Sequence, residues 1–199
     1  MSIFSGVKGA LLEFGEFVLE LSKIIIISLA IILPIRYFVV QPFYVNGQSM
    51  EPTFDNNEYL LVDELSYQLP ANVAKPTRGD VVVFRYPRDP SKFFIKRLIG
   101  LPGETVSIAG GHVKISNAEH PDGFVLNEPY LNGQPTSGDY TVPVAQDEYF
   151  LLGDNRGQSL DSRVFGPVTH AHIVGRVWLR ALPLSRWAIF GAAGASHIQ

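Results

Sequence analysis

The sequence predicts a mainly β protein: a coiled, barrel-like β-sheet core carrying a smaller inserted β-subdomain, with an N-terminal transmembrane helix ahead of it. Three observations lead there. Short runs rich in Val, Ile, Leu, Phe and Tyr recur after residue 43, separated by turn dipeptides. No stretch of that part keeps a long 3.6-residue apolar period. Ahead of it, residues 24–35 are uncharged and strongly aliphatic. The chain has 199 residues, 46% of them hydrophobic and 18% charged, so a domain behind the anchor is long enough to bury a core.

Residues 1–22 read as an amphipathic cytoplasmic segment. Val7, Ala10, Leu11, Phe14, Val18 and Leu21 recur at helical spacing, with Glu13, Glu16 and Glu20 on other faces. Residues 23–43 read as the transmembrane anchor, because the run reaches the ~20 residues that a hydrocarbon core requires. Arg36 lies near its end, where a long side chain can snorkel to the headgroups. A cleaved signal peptide is the competing reading, but no small-x-small site closely follows the run. Lys8 and Lys23 ahead of the span weakly favour an internal N-terminus.

The remainder, 44–199, reads as the extracytoplasmic domain. Strands are predicted over 58–63, 80–86, 93–100, 148–152 and 172–182, and a hairpin over 105–108 and 112–115 around Gly110-Gly111. Residues 103–147 are richer in Gly, Pro, Asn and Asp and read as the looser inserted β-subdomain. The net charge of −3 and the lack of a long basic block argue against a nucleic-acid partner. With Cys 0, disulfides, thiol nucleophiles and cysteine-ligated metal sites are excluded.

Three segments carry chemistry. The first is Asn46-Gly47-Gln48-Ser49-Met50-Glu51-Pro52-Thr53, where Gly47 permits a close backbone approach and Pro52 stiffens the chain after Ser49. Such a turn can aim the Ser49 N–H at a developing oxyanion. The second is Phe94-Ile95-Lys96-Arg97-Leu98-Ile99-Gly100, in which Phe94, Lys96 and Leu98 share one face of a strand. A lysine desolvated there can act as the base that a serine nucleophile needs. Lowering its pKa to ~8 costs about 3.3 kcal/mol. An edge-strand lysine turned to water is the alternative. The third is Gly153-Asp154-Asn155-Arg156-Gly157-Gln158-Ser159-Leu160-Asp161-Ser162-Arg163. There Ser159 can accept a hydrogen bond from an ammonium and Asp161 can pair with Arg163, unless the loop is simply a solvated turn.

Taken with Arg78-Gly79-Asp80-Val81-Val82-Val83-Phe84 and Lys96 through Glu104, these segments stand in one order behind a hydrophobic run. In this the chain resembles the bacterial type I signal peptidases, or leader peptidases, which are membrane-anchored serine endopeptidases with a Ser/Lys dyad. The resemblance implies Ser49 as nucleophile, Lys96 as general base, Ser159 orienting Lys96, and Asp161 with Arg163 as a supporting ion pair. Asp154 and Arg156 belong to the same loop.

It further implies removal of signal peptides from exported preproteins at small-x-small (Ala-x-Ala) sites. Phe43, Val45, Met50, Phe54 and Ile95 would line the substrate pockets. No cofactor or metal is called for. The implied partners are preprotein signal peptides and the lipid bilayer, with the protein-export channel a further one left open. The implied location is the inner membrane, single-pass, with the catalytic domain outside. Some members carry a serine where Gly47 stands, so another group must complete the oxyanion hole. Two other readings share these residues: a self-cleaving Ser/Lys protease, and a non-catalytic membrane-tethered module that binds extended peptides. His170 and His172 read as a surface pair, and Trp178, Trp187 and Phe190 as core.

Overall fold

The computed structural model describes residues 3–38, 40–68 and 75–191. Two units are distinguished, Met1–Val39 and Val40–Gln199. The first is one helix, α1 (Ile3–Phe38). Ile24, Ile25, Ile26, Ile27, Leu29, Ile31 and Ile32 are exposed along it. Among the described residues, no helix is both long and apolar enough to cross a membrane. The helix ends at Phe38 and Val40 already lies in a strand, so residues 40–43 of the predicted span belong to the sheet. Pro42 cannot continue a helix, whereas an edge strand accepts it. The faces assigned to Val7, Ala10, Leu11 and Glu13, and the placing of Arg36, concern side chains outside the described residues.

The second unit follows α1 with β1 (Val40–Tyr44), β2 (Tyr59–Asp63), a single helical turn α2 (Leu65–Gln68), β3 (Val81–Tyr86) and β4 (Asp89–Gly100). Then come β5 (Thr105–Ala109), β6 (His112–Ser116), β7 (Phe124–Val125), β8 (Tyr140–Pro143) and β9 (Glu148–Leu152). The chain closes with α3 (Ser162–Phe165), β10 (Val168–Thr169), β11 (Ile173–Leu182) and β12 (Ala188–Ile189). Two sheets result. The larger runs β1-β2-β11-β3-β4-β9-β10, with β12 on β11. The smaller runs β7-β6-β5-β8. The larger sheet is not the closed barrel-like form that the sequence suggests. Its path ends at β1 and β10, a proline-bearing edge and a two-residue strand, which is how open sheets blunt their edges.

The strand over 148–152 falls at its predicted bounds, and β4 begins earlier than predicted because Tyr86 and Asp89 pair across a tight turn. β7, β8, β10 and β12 were not predicted; two to four residues are too few to show a period.

The larger sheet is buried on both faces at its centre. On β3, Val81 and Val83 pack with Val45, Met50, Phe54 and Leu60, while Val82 and Phe84 pack with Tyr67, Leu98 and Leu151. β4 lies between β3 and β9, an interior position rather than an edge. The smaller sheet is not loose. Val106, Ile108, Val113 and Ile115 share one core with Ile99, Phe150 and Leu152 of the larger sheet. His170 and His172 sit in a short 3-10 turn instead of a strand, and His172 Nδ1 is 2.8 Å from the Thr169 hydroxyl. Phe190 packs on Phe54, but Trp178 and Trp187 are exposed and not core.

Candidate active site

Ser49 lies on the connection from β1 to β2, which is tied at its base by Val45 N–H donating to the Glu58 carbonyl and Asn57 N–H to the Val45 carbonyl. Gly47 takes φ +108°, a region that L side chains avoid, and its N–H donates to Asn56 Oδ1 at 2.8 Å. A Cβ there would meet nothing within 4 Å. Backbone conformation, not the close approach read from the sequence, is what calls for glycine at 47.

Lys96 pairs with Val82 across β4 and β3 and is only 3% exposed. Its Nζ lies 2.6 Å from Ser49 Oγ and donates to the Ile95 carbonyl at 2.8 Å. Burial pushes the Lys96 amine down to about 8, against the opposing pull of Asp161 and Asp154. An amine in that range is neutral often enough near physiological pH to accept a hydroxyl proton. Ser159 differs from its implied role. Its hydroxyl is buried without a hydrogen-bond partner, and the Lys96 amine is turned instead toward its own strand's carbonyl.

The loop after β9 packs against Ser49 from below. Asn155 N–H donates to the Ser49 carbonyl at 3.0 Å and Asn155 Nδ2 to the Gln48 carbonyl at 3.1 Å. Gly153 permits the approach: a Cβ on it would lie 2.1 Å from Ser159 Oγ and 2.5 Å from the Ser49 carbonyl oxygen. Asp161, fully buried, accepts from Gly153 N–H at 3.1 Å and pairs with Arg163 through Nε at 2.9 Å and Nη2 at 2.8 Å. Asp154 holds Arg97, the neighbour of Lys96, by a two-pronged ion pair of 2.8 and 2.6 Å, and accepts from the Thr53 hydroxyl at 2.5 Å. Thus the serine, lysine and loop segments are locked to one another beside the Nζ–Oγ contact. Thr53, Asn155 and the close contact at Gly153 were not assigned from the sequence, where a hydrogen-bonding loop looks the same in water as against a neighbour.

A cavity of about 480 Å³ opens at Ser49 and Lys96. Phe43, Val45, Leu60, Val83 and Ile95 supply its apolar wall. Met50 and Phe54 do not line it. Both are buried in the core behind that wall, because the chain after Ser49 turns inward. The whole arrangement can activate a hydroxyl, attack a carbonyl held in the cavity, and return the proton to a leaving group.

A family model described as signal peptidase, peptidase S26, matches residues 18–182. A signal peptidase I of Leptolyngbya laminosa is 38% identical, over 85% of this chain and 82% of the relative. Signal peptidase I P of Bacillus subtilis subsp. natto is 36% identical, over 73% of this chain and 78% of the relative. A crystal structure of a signal peptidase I from Enterococcus faecalis V583 aligns with TM-score 0.45 and 35% identity, over 52% of this chain and 97% of that one.

Proposed function

The chain belongs to the signal peptidase family, peptidase S26, and we propose that it performs the family's reaction with Ser49 as nucleophile and Lys96 as general base. It is a serine peptidase that removes signal peptides. Neutral Lys96 accepts the Ser49 proton as Oγ bonds to the scissile carbonyl carbon. The C–N bond then breaks, the Lys96 ammonium protonates the leaving amine, and an acyl-enzyme ester remains. Lys96 next takes a proton from water as the water oxygen bonds to the ester carbon; the C–Oγ bond breaks, the ammonium returns its proton to Ser49 Oγ, and the acid product leaves and ionises. The Ser49 N–H serves as a backbone oxyanion donor, since Gly47 offers no side chain.

The observation that carries this reading is the 2.6 Å contact between Ser49 Oγ and a lysine that burial has moved toward neutrality. Asp161 with Arg163 and Asp154 with Arg97 supply fixed charge balance around it, and Ser159 supplies a buried hydroxyl beside them. The apolar wall from Phe43, Val45, Leu60, Val83 and Ile95 favours small side chains next to the cut, because a larger one would overpack it. Ala-x-Ala sites are the resulting preference.

The exposed isoleucines of α1 support the bilayer as a partner; a single-pass anchor with the β unit on the extracytoplasmic face is the placement that goes with the proposed reaction on exported preproteins. The catalytic domain is taken to span 44–199.

Detergent-solubilised protein incubated with a preprotein is expected to cut once, after a small-x-small site, as located by mass spectrometry. Ser49→Ala should leave the preprotein whole. Cleavage retained by that variant removes the nucleophile assignment, and a cut confined to the enzyme itself replaces the reading with self-cleavage.

The pH profile gives a second check. Only the neutral amine works as a base, so kcat/KM should rise tenfold per pH unit below about 8 and level off above it. A profile whose basic limb still climbs at pH 10 contradicts a desolvated Lys96.

A further inference from the structure

Glu128 and Tyr130 stand far from every motif in the chain, in the inserted segment that the smaller sheet carries, yet they touch both arginines that hold the active-site segments together. Arg156 is 2% exposed, and its Nε donates to the Gly153 carbonyl at 3.0 Å. Its guanidinium is paired with Glu128 through both terminal nitrogens and also meets the hydroxyl of Thr136, itself buried. Arg97, beside Lys96, lies under the Tyr130 ring, 4.0 Å from the centroid. The Tyr130 hydroxyl donates to Glu128 Oε1 at 2.5 Å, and burial together with the Glu128 charge raises its pKa. One carboxylate and one ring from the insertion thus close a buried cluster in which Arg97 and Arg156 are balanced by Asp154 and Glu128.

We propose that Glu128 is a positioning residue for the dyad, with Tyr130 as its support, and that the insertion between the lysine strand and the Ser159 loop is part of the catalytic scaffold. The route is physical at each contact. Glu128 fixes the Arg156 guanidinium, and Arg156 Nε holds the Gly153 carbonyl. The Arg156 carbonyl accepts from Arg163 Nη2 at 2.7 Å, and Arg163 pairs with Asp161. Gly153 rests against Ser159 and the Ser49 carbonyl. Without the Glu128 charge, Arg156 is a buried cation with no countercharge and must shift toward water. Gly153 then keeps its N–H bond to Asp161 but loses the hold on its carbonyl, and the register of Ser49 against Lys96 loosens. Glu128 does not line the cavity at Ser49, so the loss falls on turnover and not on substrate capture.

The inference rests on the Ser49/Lys96 reading, and its test separates the two. Full-length protein in detergent is assayed on a preprotein, with active sites counted by an acylating probe of Ser49 so that turnover refers to folded enzyme. Wild-type cleavage abolished by Ser49→Ala establishes the underlying reaction. Glu128→Gln, which keeps the shape and removes the charge, is then expected to lower kcat by about tenfold or more with KM within about twofold. Tyr130→Phe, which keeps the ring over Arg97, should lower kcat by roughly threefold with the same unchanged KM. If Glu128 only braces the fold, both variants melt lower but turn over at the wild-type rate per titrated site, and the proposal is overturned. Should Glu128→Gln yield no folded protein, Tyr130→Phe decides alone, and wild-type turnover in it counts against the proposal.

Discussion

Lys96→Met is expected to abolish cleavage and, at pH 7, to melt above the wild type. The activity loss should reach roughly 10⁴-fold or more, since one side chain takes the proton in acylation, returns it to the leaving amine and serves again in deacylation. The gain in stability follows from the same burial that makes the residue useful. In the folded protein the amine sits near 8, against a reference value of 10.5 for the unfolded chain. That difference is a penalty of about 3 kcal/mol. Below pH 8 both states hold the proton and the penalty is fully present. Between 8 and 10.5 only the unfolded state binds it, so wild-type stability climbs with pH and the penalty fades.

Methionine has similar length and no charge to desolvate. The hydrogen bonds to Ser49 and the Ile95 carbonyl are lost, at about 1 kcal/mol each. Asp154 and Asp161 keep their own arginines, so neither is left unpaired. The balance at pH 7 is a gain of about 1 kcal/mol, or a few degrees in Tm. Thermal melts at pH 7 and at pH 10 check it: the variant should lead at the lower pH and lose that lead at the higher. A variant that melts well below the wild type at pH 7 would mean that the ammonium is comfortably solvated or paired in the fold, and the base would lose its physical ground.

What the sequence reveals and conceals follows from how local each determinant is. The interior strands were legible because Val81 through Phe84 and Tyr149 through Leu152 are unbroken apolar runs bounded by polar residues. Lys96 was legible as unusual, since its neighbours Phe94 and Leu98 share its face, but its burial depends on β9 pairing with β4 from some fifty residues away. That pairing decides between an edge lysine and a buried base. Met50 and Phe54 show the opposite failure. The family resemblance implied them as cavity wall, but they turn into the core, whereas Leu60 and Val83 reach the cavity from other strands. The exposed tryptophans were misread because apolar neighbours in sequence do not show that Trp178 falls at a break in the register of β11 with β2, or that Trp187 lies just ahead of the two-residue β12. Glu128 and Tyr130 had no sequence signal, because an acid and an aromatic in a Pro- and Asn-rich stretch also describe an ordinary surface turn.

Gly153→Ala should be nearly as damaging as loss of a dyad member, although it adds one methyl group at a residue that touches no substrate. The backbone of Gly153 lies outside the left-handed region, so alanine meets no conformational objection there. Space is the objection. The new methyl carbon would be 2.1 Å from Ser159 Oγ, 2.5 Å from Ser159 Cβ and 2.5 Å from the Ser49 carbonyl oxygen. The unpartnered Ser159 Oγ can rotate aside, but Ser159 Cβ and the Ser49 carbonyl oxygen cannot. The latter is the backbone of the nucleophile itself, pinned by Asn155 N–H, and Gly153's own N–H is committed to Asp161. Relief must come by pushing the Ser49 segment away from the loop, which lengthens the Nζ–Oγ contact.

A shift of about 1 Å in a reacting group costs on the order of 10²-fold in rate, while overpacking of this kind costs about 1–3 kcal/mol in stability. Gly153→Ala should therefore fold, melt somewhat lower, and lose about 10²-fold in kcat. Gly157→Ala, in the same loop with nothing within 4 Å of its Cβ, supplies the comparison. Steady-state kinetics on the two variants separate crowding at the nucleophile from general intolerance of the loop. Equal activity in both would mean that the packing of Gly153 under Ser49 does not set the dyad geometry, and that the serine is held by its own turn alone.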